Sequence, residues 1–142
     1  MYIMMVMSME DYIKKIDLQT ISGGSLAYIG DSVYDLYIRT YLASKSNEKS
    51  GKLHKKAISY VSAKAQSKII DKIFEVLTDD EKAVYKRGRN TNIVTNKHVD
   101  IIEYKKATGF EALVGYMYIS GNVKRIEQII KLAIECVEEN YG

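Results

Sequence analysis

The sequence predicts an all-α fold, and three observations support this prediction. The chain contains no proline, so no helix is forced to break. No long stretch alternates apolar and polar residues, as an exposed strand would, and no internal repeat is visible. Apolar residues instead recur every three or four positions, which is the period of an amphipathic helix. The pattern therefore indicates a series of successive helices.

The first half of the chain predicts three or four of these helices. A short N-terminal helix with frayed ends lies within residues 1–18, and a loop with Gly23 and Gly24 covers residues 19–25. A helix then runs over about 26–44 and is closed by the polar stretch 46–51. Residues 53–77 are also helical, and Ser62 is a candidate cap at which this stretch would divide in two.

The second half carries clearer signals. Thr78 and Glu81 have the spacing of a capping box, in which each side chain accepts a hydrogen bond from the other residue's backbone amide. A helix should run from there to about residue 87, followed by a basic loop over 88–96 and a long helix over 99–119. Gly121 and Asn122 end that helix. The last helix carries a regular apolar stripe of Val123, Ile126, Ile130, Ala133, Ile134 and Val137.

Length and composition favour one globular domain over residues 1–142, with 1–17 as an unassigned N-terminal helix or extension. The 142 residues are 46% hydrophobic and 27% charged, which excludes a disordered chain. The single Cys136 excludes an intramolecular disulfide and is read as a small buried apolar residue rather than a reactive thiol. No apolar run reaches the roughly 20 residues of a membrane span, and the N-terminus lacks a basic leader. We expect a cytoplasmic protein that does not enter a membrane.

The basic residues are clustered, although the net charge is only +3. One cluster comprises Lys45, Lys49, Lys52, Lys55, Lys56 and Lys64, and a second comprises Lys82, Lys86, Arg87, Arg89, Lys97, Lys105 and Lys106. Such clusters suit a polyanion such as nucleic acid. Charge alone nevertheless favours the simpler interpretation that these are solvated helix faces.

Asp31 is the first candidate functional residue. Leu26, Ile29, Val33 and Leu36 form one apolar stripe of its helix, and Ala27, Tyr34, Ile38 and Leu42 form another on the side of Asp31. A helix that is apolar nearly all round is buried on most sides. We therefore expect Asp31 to lie in surroundings of low polarity, where a carboxylate needs a cation, a metal, several hydrogen-bond donors or a proton.

Glu111 is the second candidate, because it is the only charged residue between Lys106 and Lys124. Two ionised carboxylates that face each other repel, and a divalent cation such as Mg²⁺ or Mn²⁺ would relieve this repulsion. The alternative is that Arg39 and Lys105 pair with the two carboxylates. Gly109 and Gly115 each cost a helix about 1 kcal/mol relative to alanine. Close packing against the 26–44 helix would justify both glycines and bring Glu111 toward Asp31.

These residues also carry a resemblance to a known family. Residues 26–34 (LAYIGDSVY) are similar to the signature helix of ribonuclease III, and residues 110–115 (FEALVG) resemble its second carboxylate motif. Four further segments resemble the Mini-ribonuclease III branch: 53–57 (LHKKA), 61–66 (VSAKAQ), 86–90 (KRGRN) and 103–112 (EYKKATGFEA). The resemblance covers the chain from about residue 18 to its end.

The resemblance implies a fold and an activity. The fold would be the helical bundle of the ribonuclease III endonuclease domain, as a homodimer without a separate RNA-binding domain. The activity would be Mg²⁺-dependent hydrolysis of double-stranded RNA that leaves 5′-phosphate ends, with Mn²⁺ able to substitute. The biological substrate would be the 23S ribosomal RNA precursor.

The resemblance assigns roles to individual residues. Asp31 and Glu111 match the catalytic and metal-binding carboxylates, whereas Ala27 and Thr108 stand where larger relatives have two further acidic ligands. The Mini branch also lacks these acids, so the site should use fewer protein ligands and more water, with one or two metals. Asp35 is expected to face solvent or to be ion-paired. The residues expected to grip RNA are Lys52, His54, Lys55, Lys56, Lys86, Arg87, Arg89, Asn90 and Lys105.

Two other functions remain open at this stage. The missing acids at positions 27 and 108 would also suit a non-catalytic RNA-binding module of the same fold, such as a ribosome-assembly factor. A helical protein-interaction domain is a third hypothesis, but it leaves Asp31 and Glu111 unexplained. His54 and His98 lack the spacing of a metal-binding pair and are better read as surface residues near RNA.

Overall fold

A computed structural model describes residues 6–92 and 100–139. These residues contain no strand, which confirms the all-α prediction. None of their helices combines the length and apolarity needed to cross a bilayer. The elements, in chain order, are α1 (Met9–Lys14), α2 (Gly23–Lys45), α3 (Ser50–Val61), α4 (Ala63–Ile73), a 3₁₀ turn (Phe74–Val76), α5 (Asp79–Arg89), α6 (Ile101–Ile119) and α7 (Val123–Glu139).

Helices α2 and α6 pack directly against each other at the centre of the fold, and two glycines permit this contact. A Cβ atom added to Gly30 would collide with the backbone carbonyl of Glu111, and one added to Gly115 would collide with the carbonyl of Leu26. The predicted packing of Gly115 against α2 is therefore confirmed. The same prediction for Gly109 is wrong, because its missing side chain makes room for the ring of Tyr85 in α5, 2.6 Å from the added Cβ.

The core beside this contact fixes the backbone around both candidate carboxylates. Tyr34 and Phe110 are fully buried and meet edge to face, with ring centroids 5.1 Å apart. The Tyr34 hydroxyl donates a 3.0 Å hydrogen bond to the carbonyl of Tyr60. Asp31 lies one turn before Tyr34, and Glu111 directly follows Phe110. Both carboxylates thus extend from rigid, well-packed helices.

Local capping signals gave the starts of α4 and α5 correctly. Ser62 ends α3 and caps α4, and its hydroxyl accepts a 3.1 Å hydrogen bond from the Ala65 amide. The capping box of Thr78 and Glu81 is present at the start of α5. Cys136 is buried, as predicted.

Helix ends that involve glycine were predicted less well. The expected loop over 19–25 is too long, because Ser22 caps α2 and the helix begins at Gly23. A Cβ on Gly23 would lie 2.6 Å from the carbonyl oxygen of Arg87, so this glycine permits α2 to approach α5. Likewise α5 continues through Gly88 to Arg89, beyond the predicted end near residue 87. Residues 93–96 of the predicted 88–96 loop, with Lys97 and His98, lie outside the described residues.

Candidate active site

Asp31 lies at the surface, so its predicted burial is wrong. The face of α2 that packs into the core carries Ala27, Gly30, Tyr34 and the buried positions after them. The other apolar stripe of α2 is covered only in part, because Leu26 is fully buried whereas Leu36 is 66% exposed. The helix is therefore buried on one side only, and Asp31 lies at the edge of its buried face.

Asp31 and Glu111 line the same open cleft. The cleft has a volume of about 280 Å³ and lies between the first turns of α2, the middle of α6 and the residues that follow α5. It is lined by Gly24, Ala27, Tyr28, Asp31, Thr91, Tyr104, Thr108 and Glu111. The predicted proximity of the two carboxylates is thus confirmed. Ala27 and Thr108 line the cleft beside them, and the Thr108 hydroxyl donates to the Tyr104 carbonyl at 2.9 Å.

Glu111 is half-buried, and its surroundings favour the protonated form. Burial, a hydrogen bond to Asp31 and the negative charge of Asp31 together raise the pKa of Glu111 to about 9. A hydrogen bond from the Gln66 side chain acts in the opposite direction. Without a cation, these surroundings therefore favour the protonated form of Glu111 at neutral pH.

No side-chain cation neutralises this pair among the residues that the structure describes. Arg39, one of the two predicted partners, binds Asp35 at 2.8 Å, which confirms the expected ion pair of Asp35. Lys105, the other, is exposed and forms no ion pair with Glu111. Within residues 6–92 and 100–139 there is also no group of three or more histidine, cysteine or acidic side chains that could hold a metal. Asp31 and Glu111 are the two carboxylates among the residues that line the cleft.

The predicted RNA-contacting residues fall into two sets. Lys52, His54 and Lys55 are exposed on α3, Lys86 is exposed on α5, and Asn90 and Lys105 are exposed next in the chain to cleft residues Thr91 and Tyr104. The other three make contacts within the protein. Lys56 binds Glu48 at 2.7 Å, Arg87 donates to the Leu18 carbonyl at 3.3 Å, and the Arg89 guanidinium lies 5.6 Å from the ring centre of Tyr85.

Gln66 is a site residue that the sequence prediction missed. It is only 1% exposed, and its side chain contacts Glu111 from α4. The one signal in the sequence is its position, because the spacing to Ile69, Ile70 and Ile73 places residue 66 on the apolar face of α4. A polar residue at such a position requires a partner inside the fold.

Comparisons with known proteins agree with this geometry. The pattern of the Ribonuclease III domain matches residues 24–122, which include both carboxylates. The Mini-ribonuclease 3 of Streptococcus pneumoniae is 46% identical over 126 residues, covering 87% of this chain and 98% of the relative. That of Clostridium tetani is 45% identical over 133 residues, covering 92% and 87%. The chain belongs to the ribonuclease III family, in its Mini-ribonuclease 3 branch.

A solved structure supports the same assignment for the fold. A crystal structure of a protein from Fusobacterium nucleatum matches with a TM-score of 0.78 and 34% identity, covering 84% of this chain and 98% of the other. The fold is therefore the helical bundle of the ribonuclease III endonuclease domain. As a member of the Mini-ribonuclease 3 branch, the chain is an endoribonuclease.

Proposed function

We propose that this endoribonuclease hydrolyses double-stranded RNA at the cleft that contains Asp31 and Glu111, and that it uses Mg²⁺, for which Mn²⁺ can substitute. The observation that supports this proposal is the pair of facing carboxylates without a neutralising side chain. Two like charges held together in a half-buried site are costly unless a cation or a proton joins them. A divalent cation bound between them would supply the positive charge that the described side chains around the cleft do not provide.

The ligand chemistry of the cleft fits a hard divalent cation. Carboxylate oxygens are the ligands that Mg²⁺ prefers, and Mg²⁺ usually keeps several waters. Asp31 and Glu111 would hold it, and the small side chains at Ala27 and Thr108 leave room for water or phosphate oxygens. The bound ion would supply a water of lowered pKa and neutralise charge on the scissile phosphate. The protein would fix the two carboxylates on rigid helices and keep Glu111 behind Asp31, at the inner wall of the cleft.

The exposed basic residues would hold the RNA backbone. Asn90 and Lys105 flank the cleft along the chain, next to its lining residues Thr91 and Tyr104, and Lys86 lies one turn before Asn90. Lys52, His54 and Lys55 on α3 would contact phosphates farther along the duplex. Lys56, Arg87 and Arg89 would have to give up internal contacts to join them. Because phosphate contacts release counterions, duplex affinity should fall steeply as salt rises.

We also propose a homodimer, and a large apolar groove supports it. The groove has a volume of about 690 Å³ and lies beside the cleft, with contributions from α1, α2, α6 and α7. Several of its side chains are strongly exposed, including Tyr28 at 83%, Leu36 at 66% and Met9 at 65%. A contiguous exposed apolar surface of this kind is typical of a protein interface. Tyr28 lines both groove and cleft, so a second copy would bring its own cleft close and allow both strands to be cut.

Leu36→Lys should separate the dimer, since it places a charge in the middle of the groove. Ile58→Lys is a matched control, because Ile58 is 51% exposed on α3 and does not line the groove. Analytical ultracentrifugation should find wild type and Ile58→Lys as dimers and Leu36→Lys as a monomer. A dimer in all three proteins would place the interface elsewhere.

Two finer proposals follow from the family resemblance: precursor 23S ribosomal RNA as the substrate, and a cytoplasmic location. The residues 1–142 are proposed to form one catalytic domain, with 1–17 as an N-terminal extension. The experiment that tests the function is incubation of the protein with end-labelled duplex RNA and Mg²⁺. Cleavage to 5′-phosphate products that requires Asp31 and Glu111 supports the enzyme. Binding without cleavage would favour an RNA-binding module instead.

A further inference from the structure

Gln66 is a buried polar side chain whose presence the packing of the core does not explain. Among the described residues, the buried polar and charged side chains are Gln66, Ser67 and Glu81. Glu81 is held by Arg125, but the Oε1 atom of Gln66 has no hydrogen-bond partner. An apolar side chain of similar length would avoid this unmade hydrogen bond. The Gln66 amide must therefore contribute through its nitrogen, Nε2.

The break between α3 and α4 provides a hydrogen-bond acceptor for Nε2 of Gln66. In a continuous helix the amide of Ala65 would bind the carbonyl of Val61, but here it binds the hydroxyl of Ser62 at 3.1 Å. The Val61 carbonyl is thereby freed, and Nε2 of Gln66 donates to it at 3.1 Å. Because the amide nitrogen carries two hydrogens, the second remains for another acceptor.

The acceptor for the second hydrogen is Glu111. The Gln66 side chain makes a hydrogen-bonding contact with Glu111, and this contact favours the ionised carboxylate, as expected of a donor. With Nε2 toward two acceptors, the orientation of the amide is fixed, and Oε1 must point away. Oε1 thus lacks a partner because Nε2 is oriented toward both the Val61 carbonyl and the Glu111 carboxylate.

We propose that Gln66 is a positioning residue of the site: its amide, anchored on the Val61 carbonyl, holds the Glu111 carboxylate toward Asp31 and a divalent cation. The inference rests on the proposed function, in which Asp31 and Glu111 bind that cation. A site with only two ionisable ligands depends more on the orientation of each of them. A neutral donor from α4 supplies that orientation to Glu111 without adding another negative charge.

Gln66→Met tests this role, because methionine has a similar length and no donor. Residues that orient metal ligands typically contribute about 10- to 100-fold to metal affinity or activity. We therefore expect Mn²⁺ affinity, measured by electron paramagnetic resonance, and the single-turnover rate on duplex RNA each to fall by about that factor. Affinity for duplex RNA without metal should stay within about twofold, since Gln66 is buried away from the duplex. Ser67→Ala, at the neighbouring buried polar residue, is the matched control and should leave all three quantities unchanged.

A double-mutant cycle distinguishes positioning from a general effect on the fold. If Gln66 acts through Glu111, Gln66→Met should cause little further loss of Mn²⁺ affinity in a Glu111→Gln background. Equal losses in both backgrounds, or a Gln66→Met protein that binds Mn²⁺ like wild type, would overturn the inference. The proposed function is judged separately on the unaltered protein: if that protein neither cuts duplex RNA nor binds Mn²⁺ through Glu111, both proposals fail.

A measurement on the unaltered protein covers the case in which Gln66→Met does not fold. The side-chain amide signals of Gln66 can be followed by nuclear magnetic resonance during a Mg²⁺ titration. They should shift in step with the backbone amide signal of Glu111, and the shift should be absent in Glu111→Gln. Gln66 signals that do not respond while the Glu111 signal shifts would overturn the positioning role.

Discussion

Burial penalises the charged form of both Glu81 and Glu111, but the neighbours of the two carboxylates differ completely. Glu81 is 6% exposed, and both of its carboxylate oxygens accept 2.8 Å hydrogen bonds from the Arg125 guanidinium. It also accepts a bond from the Thr78 amide at 2.9 Å. Burial opposes ionisation, but these bonds outweigh it, and the pKa of Glu81 is lowered. The chain itself satisfies this carboxylate.

The neighbour of Glu111 is Asp31, whereas the neighbour of Glu81 is Arg125. Burial acts on both residues in the same direction, but the neighbour of Glu111 is a second acid, and its pKa rises to about 9. Glu81 therefore stabilises the fold through its ion pair with Arg125, whereas Glu111 has no cationic partner among the described residues. Glu81 joins α5 to α7, whereas Glu111 and Asp31 form a cleft wall that is stable only with a proton or a cation.

The largest effect on stability is expected at the satisfied glutamate. Glu81→Gln leaves the mostly buried Arg125 without its counter-charge, and breaking a buried ion pair in this way costs about 3 kcal/mol. Glu75→Gln is the control. The Glu75 side chain is 88% exposed and its ion pair with Lys82 is long, at 3.9 Å, so losing this pair should cost less than about 0.5 kcal/mol. Urea unfolding measures both. RNA cleavage by folded Glu81→Gln should match that of wild type. A large loss of cleavage by this folded variant would contradict a purely structural role for Glu81.

The largest effect on activity is expected at the cleft. Asp31→Asn removes one of the two proposed carboxylate ligands, so cleavage of duplex RNA should fall by more than about 100-fold, with stability largely kept because Asp31 is exposed. Asp35→Asn, one turn later, breaks only the surface pair with Arg39 and should stay within about twofold of wild type. Single-turnover assays at saturating protein measure both. Comparable activity in the two variants would exclude a special role for Asp31.

A smaller effect is expected in the pH dependence of stability without metal. The pKa of Glu111 is about 9 when folded, against an ordinary value of 4.5, so the unfolded chain releases a proton that the folded chain retains. Stability from this group is complete below about pH 4.5 and is lost as pH rises toward 9, by at most about 1.4 kcal/mol per pH unit. Glu111→Gln should flatten this slope in urea titrations with a chelator present. Equal slopes for both proteins would contradict the raised pKa.

Local signals in the sequence predicted much of the fold. Ser62 and Thr78 were identified as caps because a capping bond joins residues three positions apart. Gly23 and Gly88 were taken as loop residues because glycine disfavours helices, yet both are helical where neighbouring backbones approach. That approach is a tertiary contact, which a single helix cannot reveal.

The candidate site was predicted in part, for a similar reason. Each carboxylate is a lone charge in an apolar helix, and this singled out Asp31 and Glu111. The exposure of Asp31 was predicted wrongly, because the apolar pattern of α2 does not reveal that residues such as Leu36 lie outside the core. Neither Arg125 as the partner of Glu81 nor Gln66 as the partner of Glu111 was predicted, since each contact joins residues more than forty positions apart.

Calorimetric titration with Mn²⁺ in buffers of different ionisation enthalpy tests most directly whether a cation displaces the proton of Glu111. Because Glu111 holds that proton near neutral pH, we predict that Mn²⁺ binding at pH 7.5 releases about one proton per chain. Glu111→Gln should bind Mn²⁺ more weakly and release none. Wild-type binding without proton release, or undiminished binding by Glu111→Gln, would contradict a metal site built on these two carboxylates.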